Sequence, residues 1–475
     1  MKKLFGTDGM RGEAGRFPLD AQTIRTTGHS LARHLAKRAA GERAPLILLG
    51  RDTRESGDWI ERAFTEGACS AGAVCHSAGV ITTPGVAFLT RTLPADAGVV
   101  VSASHNPYQD NGIKIFVPTG RKLDDATERL IEADIHQARR EGESDESHVP
   151  ESLSGISSPG ANIDVELDGD ARRRAASLQA RYLDYLSEEV AAGLRLDGLR
   201  LIVDCANGAA SQLAPALFTR LGAEVSAVNN APDGRNINRN CGSLYVEQLR
   251  DKVVAENADL AVAFDGDADR ALFLDARGQV VDGDATLWVM AKSFQARGEL
   301  AGASVVATVM SNIGLELALK SRGIEMLRAD VGDKYVLEEL LRTGVALGGE
   351  QSGHIIFPGV SLAGDGMTTT LFLLRAMREA GASLEQLAAG FTRYPQVLVN
   401  VRVREKQPFR EVAEIDAEAR RTETALVGEG RLLLRYSGTE PLARIMIEGR
   451  RQDEIERLAK NLATVIERAL GDEKQ

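Results

Sequence analysis

One pattern recurs three times along the chain and limits what it can fold into. An apolar, β-branched strand runs into a polar or glycine-rich loop, and a second such strand follows roughly 40–60 residues later. In the first block the strands are residues 45–52 and the Val99-Val100-Val101 run that delivers Ser102 to Asn106 onto a loop. The second block has 199–204 and 259–265, and the third has 304–309 and 345–350. Helical periodicity lies between them, as at 313–320 and 335–341. Such alternation predicts α/β layers with largely parallel sheets, whose ligand-binding loops sit at the carboxyl ends of the strands. Beyond Pro395 the style changes. Val397, Val399, Val401 and Val403 alternate, then come a helix, two short strands and a final helix from Gln452 to about Leu470. The predicted class is α/β: three successive α/β domains of similar topology plus a small C-terminal α+β domain around a central cleft. The expected domains are 1–150, 176–298, 299–393 and 394–475, with the polar, turn-rich stretch 141–175 as a linker or surface excursion.

A chain of 475 residues is too long for one core, in keeping with several domains. Apolar content of 43% and charged content of 26% are ordinary for a globular enzyme. The net charge of -11 argues against nucleic acid or an anionic membrane as partner. An acidic protein that handles phosphates must gather positive charge locally, so arginines and lysines near glycine-rich loops matter most. The four cysteines show no C-x-x-C or metal-binding spacing and read as reduced thiols. No apolar run approaches transmembrane length, and the first residues lack the apolar core of a signal peptide. A cytoplasmic protein is expected.

Several loops carry groups suited to chemistry. Ser102 and Ser104 lie at a strand end beside His105 and ahead of Lys114, a placement that nucleophilic chemistry can use, although turn-forming alone would also explain it. Asp265-Gly266-Asp267-Ala268-Asp269-Arg270 follows an apolar strand. In an extended segment alternate side chains point the same way, so three carboxylates converge as a hard-oxygen site for magnesium. An EF-hand would need glycine and glutamate where the chain has Arg270 and Ala276. Gly348 to His354 offers Glu350, Ser352 and His354 among glycines, a set able to hold sugar hydroxyls or simply to form a turn. Arg328 to Lys334 presents two cations around a glycine turn, or a solvated helix start. Arg435, Ser437, Gly438, Thr439 and Arg444 make a cradle for a dianion. Gly6 to Gly12 is too glycine-dense for a strand and places Arg11 in a tight loop. No dinucleotide or Walker-type phosphate loop is matched.

Taken in order, Leu4 to Gly12, Ser-Ala-Ser-His-Asn-Pro at 102–107, Asp265 to Arg270, Gly349 to His354 and Ser437 to Pro441 resemble the α-D-phosphohexomutase superfamily over nearly the whole chain. The opening motif, Tyr108 and Gln351 are similar to the bacterial branch acting on glucosamine phosphate. Ala268 departs from that branch's usual glycine, toward relatives acting on glucose and mannose phosphates, and the 141–175 excursion exceeds the usual connection. The resemblance implies a four-domain fold with one loop per domain lining the cleft. It implies that Ser104 must be phosphorylated for activity, and that its phosphate and Asp265, Asp267 and Asp269 hold one magnesium ion per chain. Glu350 and Ser352 would hold sugar hydroxyls, and Arg435, Ser437, Gly438, Thr439 and Arg444 the phosphate that is not reacting. Arg11, Lys114, Arg270 and His354 would line the transfer site, with Lys114 a candidate proton shuttle. The implied reaction interconverts glucosamine 6-phosphate and glucosamine 1-phosphate through a sugar bisphosphate, with glucose or mannose phosphates as the alternative substrates. An aspartyl-nucleophile enzyme would instead form its phosphoenzyme on Asp265, and a non-catalytic sugar-phosphate sensor would be expected to lack the nucleophile or a metal ligand. The partners implied are a hexosamine phosphate and a sugar bisphosphate, with no nucleic acid and no membrane, and a homodimer is left open.

Overall fold

The computed structural model describes residues 3–6, 8–38, 43–144, 169–437 and 440–471, with residues 142–144 as backbone only. The chain divides into two compact units, Met1–Gly302 with Gly332–Ala388, and Ala303–Val331 with Ala389–Gln475.

In the first unit, β1 (Phe5–Gly6), β2 (Gly9–Glu13), β3 (Leu46–Arg51), β4 (Val74–Val80), β5 (Ala97–Val101) and β6 (Asp110–Phe116) form a sheet in the order β1-β2-β6-β5-β3-β4. β3 pairs in parallel with β4 and β5, while β6 pairs antiparallel with β5 and β2. A second sheet combines β7 (Arg200–Asp204), β8 (Glu224–Val228), β9 (Leu260–Phe264), β10 (Ala271–Asp275) and β11 (Val280–Val281) in the order β11-β10-β9-β7-β8. Here too the β7–β8 and β7–β9 pairs are parallel and β9–β10 is antiparallel. The sheets are thus mixed where largely parallel ones were expected. The physical reason is loop length: the connections 102–109 and 265–270 are too short for the helical crossover that a parallel neighbour requires. Every residue of β5 and β9 is buried, as their unbroken apolar runs demand.

Two further expectations are corrected. Arg11 lies on β2 rather than in a loop, opposite Gly112 of β6. The glycines permit this strand, because Gly9 has φ +84° and a Cβ there would stand 2.4 Å from the Ile113 carbonyl oxygen. The supposed linker begins and ends in helix, since Asp125–Ser144 and Gly169–Asp184 are both helical. Its residues 145–168 lie outside the described ones. In the third block the second strand is reduced to Gly348–Gly349, paired with Ile355–Ile356.

The second unit holds the parallel strands Ser304–Thr308 and Glu325–Ala329, joined through the helix Ile313–Ser321. It also holds an antiparallel sheet in which Leu442–Gly449 lies between Gln396–Arg402 and Gly430–Tyr436. The helix Gln452–Leu470 buries Ile455, Leu458, Leu462 and Ile466 against that sheet, the i, i+3, i+7 stripe of an amphipathic helix. This is the small α+β architecture expected beyond Pro395. Among the described residues, no helix is long and apolar enough to cross a membrane.

Candidate active site

The two loops richest in chemistry share one construction, for each is the short antiparallel link that ends a fully buried strand. After β5, Ser104 is buried, with φ +54°. Its N–H donates to Ser102 Oγ at 2.9 Å, and its hydroxyl donates to Asp265 Oδ2 at 2.6 Å and stands 3.3 Å from His105 Nδ1. Of the two candidate serines, Ser104 therefore faces the carboxylates.

After β9, residues 265–270 form a turn rather than an extended segment, with Ala268 at φ +55°. The curl of this turn, not strand alternation, brings the carboxylates together, and their oxygens lie within 4.8 Å of one another. Neighbouring segments hold the turn in place. Thr83 gives its N–H to the Asp267 carbonyl (3.1 Å) and its hydroxyl to Asp267 Oδ2 (2.5 Å). Ala209 and Gly366 donate backbone N–H groups to the carbonyls of Gly266 and Ala268. Gly266 passes so close to the Ser104 loop that a Cβ would sit 2.5 Å from the Ser104 carbonyl oxygen.

Charge organises the site. Lys114, pointing from β6, places Nζ 2.8 Å from Asp267 Oδ2, 3.1 Å from Asp8 Oδ2 and 3.3 Å from Asp269 Oδ2. Burial disfavours its charge, but Asp267, Asp8 and Asp269 outweigh that and raise its pKa well above the usual value. Burial also raises the Asp265 pKa, and the charges of Asp269 and Asp267 push it further up. Asp269 is held well below the carboxylate range despite burial, because Lys114, His354 and Arg270 surround it. His354 resists burial through Asp269, Asp333 and Glu350, which lift it to about 9. His105 is pushed down to about 4 by burial and by Arg270 and Arg11. Arg270 donates its backbone N–H to Asp265 Oδ1 (3.2 Å) and sets Nη1 3.1 Å from His105 Nδ1, while Arg11 pairs with Asp8. In the neighbouring loop Ser352 Oγ lies 3.5 Å from Glu350 Oε2, and Gly332 N–H donates to Glu350 Oε1 at 3.1 Å.

The carboxylate turn fits a divalent cation. Among the described residues, Asp267 Oδ1 and Asp269 Oδ1 are buried without a hydrogen-bond partner, and the one ammonium of Lys114 offsets only part of the charge of three close carboxylates. These oxygen donors suit a hard divalent cation.

In the second unit, Arg435 and Arg444 face each other across adjacent strands, with Ser437 buried at the end of the first. Lys406 adds a cation there, donating to the Ser437 carbonyl at 2.6 Å. Among the described residues, Arg444 Nε is buried without a hydrogen-bond partner. Gly438 and Thr439 lie outside the described residues.

The structure adds residues that spacing did not single out. Lys122 pairs with Asp8 and sets Nζ 2.5 Å from Asp333 Oδ2. With Asp269 and His354, Lys122 and Asp333 line a cavity of about 450 Å³. Asp333 lies in the segment noted for its cations, yet its carboxylate is the group that faces His354, at 3.8 Å. Nothing in the sequence joins Lys122 to a partner 211 positions away.

Models of phosphoglucomutase/phosphomannomutase alpha/beta/alpha domains I, II and III match residues 2–141, 180–278 and 282–394, and the C-terminal domain matches 398–465. The phosphoglucosamine mutase of Solibacter usitatus is 50% identical over 471 residues, covering 99% of this chain and 100% of its own length. That of Mycobacterium ulcerans is 45% identical over 469 residues, with 99% and 100% coverage. Among solved structures, a phosphoglucomutase/phosphomannomutase family protein from Burkholderia thailandensis superposes with a TM-score of 0.75 at 24% identity, covering 98% of this chain and 97% of its own. The N-acetylphosphoglucosamine mutase of Aspergillus fumigatus, solved with GlcNAc-6P and magnesium, gives 0.61 at 19% identity, with 98% and 96% coverage. With four domain models matched in order and relatives similar from end to end, the chain belongs to the phosphoglucomutase/phosphomannomutase family, the α-D-phosphohexomutase superfamily.

Proposed function

We propose that this protein is a phosphoglucosamine mutase, an isomerase that interconverts glucosamine 6-phosphate and glucosamine 1-phosphate through a phosphoserine enzyme and a sugar bisphosphate. One observation carries the reading: a buried serine hydroxyl 2.6 Å from the first of three clustered carboxylates, ringed by Lys114 and Arg270. The full-length identity to proteins of that name supports the choice of sugar.

In the first transfer the sugar's 1-hydroxyl attacks phospho-Ser104. The Oγ–P bond breaks as the new O–P bond forms, and the proton leaving the sugar hydroxyl ends on Ser104 Oγ. The bisphosphate turns end for end, and Ser104 takes back the 6-phosphoryl group by the reverse chemistry. Phosphoryl transfer of this kind relies on alignment and charge neutralisation. Asp265, Asp267 and Asp269, with the Ser104 phosphate, would hold one Mg2+, which when bound offsets charge on the transferring oxygens. Lys114 Nζ, 2.8 Å from Asp267 Oδ2 and 3.3 Å from Asp269 Oδ2, would supply positive charge beside the transferring group and is the candidate proton shuttle. His105 Nδ1 lies between Ser104 Oγ and Arg270 Nη1, at 3.3 and 3.1 Å. Glu350 and Ser352 would hold the sugar hydroxyls with His354 and Arg11 lining the site. Arg435, Ser437, Gly438, Thr439 and Arg444 would grip the other phosphate. The division of labour follows domains 1–150, 176–298, 299–393 and 394–475, in a cytoplasmic enzyme.

Turnover on glucosamine, glucose and mannose 6-phosphates, compared with Ser104→Ala, tests this. Preference for the amino sugar and an inactive variant are expected. Preference for glucose or mannose phosphate would make the enzyme a phosphomannomutase/phosphoglucomutase, and turnover by Ser104→Ala would overturn the phosphoserine mechanism.

A further inference from the structure

We infer that Asn238 is a positioning residue for the nucleophile, acting with Arg54 by clamping the backbone of the Ser104 turn; this rests on the mutase reading above. Asn238 Nδ2 lies 2.8 Å from the Ser104 carbonyl oxygen and 3.0 Å from that of Asn106. Arg54 Nη2 donates to the same two oxygens, at 3.2 and 2.6 Å. Both side chains are buried, and Arg54 is itself held by Asp52. An amide NH2 carries two donor hydrogens, so one Asn238 side chain can serve both carbonyls.

The clamp has a conformational task. Ser104 sits at φ +54°, a left-handed region that disfavours a non-glycine residue. A residue stays there only when its surroundings over-determine it. Ser102 fixes the N–H of Ser104, and Arg54 with Asn238 fixes its carbonyl. Release of either end lets the residue swing to negative φ and carries Oγ away from Asp265. Arg54 belongs to the same α/β block as Ser104. Asn238 belongs to the block that carries Asp265, and its own N–H is held by the Ala206 carbonyl. The amide thus ties nucleophile to carboxylates across 134 positions of sequence.

Asn238 itself has φ +57°, so the variants must separate donation from turn geometry. Asn238→Asp keeps the size and the tolerance for that backbone but removes both donors. Asn238→Gly accepts the backbone outright and removes the side chain. In the full-length enzyme with Mg2+, both variants are expected to lower kcat with glucosamine 6-phosphate by about 10- to 100-fold, the scale of a misplaced reacting group, with KM within about twofold. Amide hydrogen exchange in the peptide spanning 102–107 is expected to quicken more than in the rest of the protein, with the global melting temperature lowered modestly. Unchanged kcat and exchange in Asn238→Asp would overturn the clamp. So would wild-type kcat in Asn238→Gly, which would leave Asn238 only a turn-former. Failure of wild-type enzyme on all hexose phosphates would instead overturn the mutase reading, while the exchange comparison would still decide the clamp.

Discussion

Ser104 and Ala268 both occupy left-handed backbone, and Gly266 lies against the first of them. Chemistry here depends on how closely two loops approach, a property of single residues. Gly266→Ala would drive a Cβ to 2.5 Å from the Ser104 carbonyl oxygen, which is backbone and cannot swing aside. We expect about 1–3 kcal/mol of destabilisation, the range for overpacking, and at least a tenfold loss of kcat, measured by urea unfolding and turnover. A variant of wild-type stability and rate would show that the loops have slack. The thiols give a second residue-scale prediction. Burial and the adjacent Cys69 push Cys75 up to about 12, and burial does the same for Cys241. At pH 8 each is then about one part in ten thousand thiolate, rising tenfold per pH unit. Peptide mapping after iodoacetamide at pH 8 should find exposed Cys69 labelled and Cys241 protected; rapid labelling of Cys241 would contradict its burial.

At the scale of elements, ties between segments distant in sequence hold the first sheet's flanks. Asp134 accepts from Ser30 Oγ (2.5 Å) and Arg33 Nη2 (2.6 Å), pinning the helix Asp125–Ser144 to Ala21–Arg38. Burial raises its pKa, but the Ser30 and Arg33 hydrogen bonds outweigh that and lower it from 3.8. A depressed carboxylate stabilises the fold above its unfolded pKa and loses that contribution as pH falls through its folded pKa. Wild type should therefore exceed Asp134→Asn by about 1–2 kcal/mol at pH 6, with the gap closing below pH 3.8. Melting curves at pH 6 and pH 3 check this, and a gap that widened in acid would reverse the sign. The edge strand β4 is covered by the helix Gly169–Asp184, whose Gln179 donates to the Ala78 and Val80 carbonyls at 2.8 and 3.2 Å. That arrangement blunts an edge otherwise open to another strand.

At the scale of the whole molecule, Mg2+ should act on one unit only. The carboxylates, Ser104 and Lys114 all belong to the first unit, whereas Arg435, Ser437 and Arg444 belong to the second. Saturating Mg2+ is expected to slow amide exchange in peptides covering 102–106 and 265–270 and to leave 396–449 unchanged. At one hundred times its Kd the ion would add about 2.7 kcal/mol to the unit that binds it. Equal protection of both units, or none, would contradict this assignment. The α/β alternation, the buried strands β5 and β9 and the C-terminal α+β fold were legible in sequence, because burial and periodicity are local and leave a local signature; the Asp265–Asp269 cluster was legible as a set of residues, but the turn that gathers it was not. The path of Arg11 along a strand was not, since a glycine-rich segment becomes a strand only when a neighbour comes close enough to need its missing side chains. Nor were Lys122, Asp333, Arg54 and Asn238, whose partners lie far along the chain. By itself the sequence determined which chemical groups each loop carries. Only the tertiary structure decided which of them meet, because ion pairs and shared hydrogen bonds depend on separations of a few ångströms that no spacing along a chain encodes.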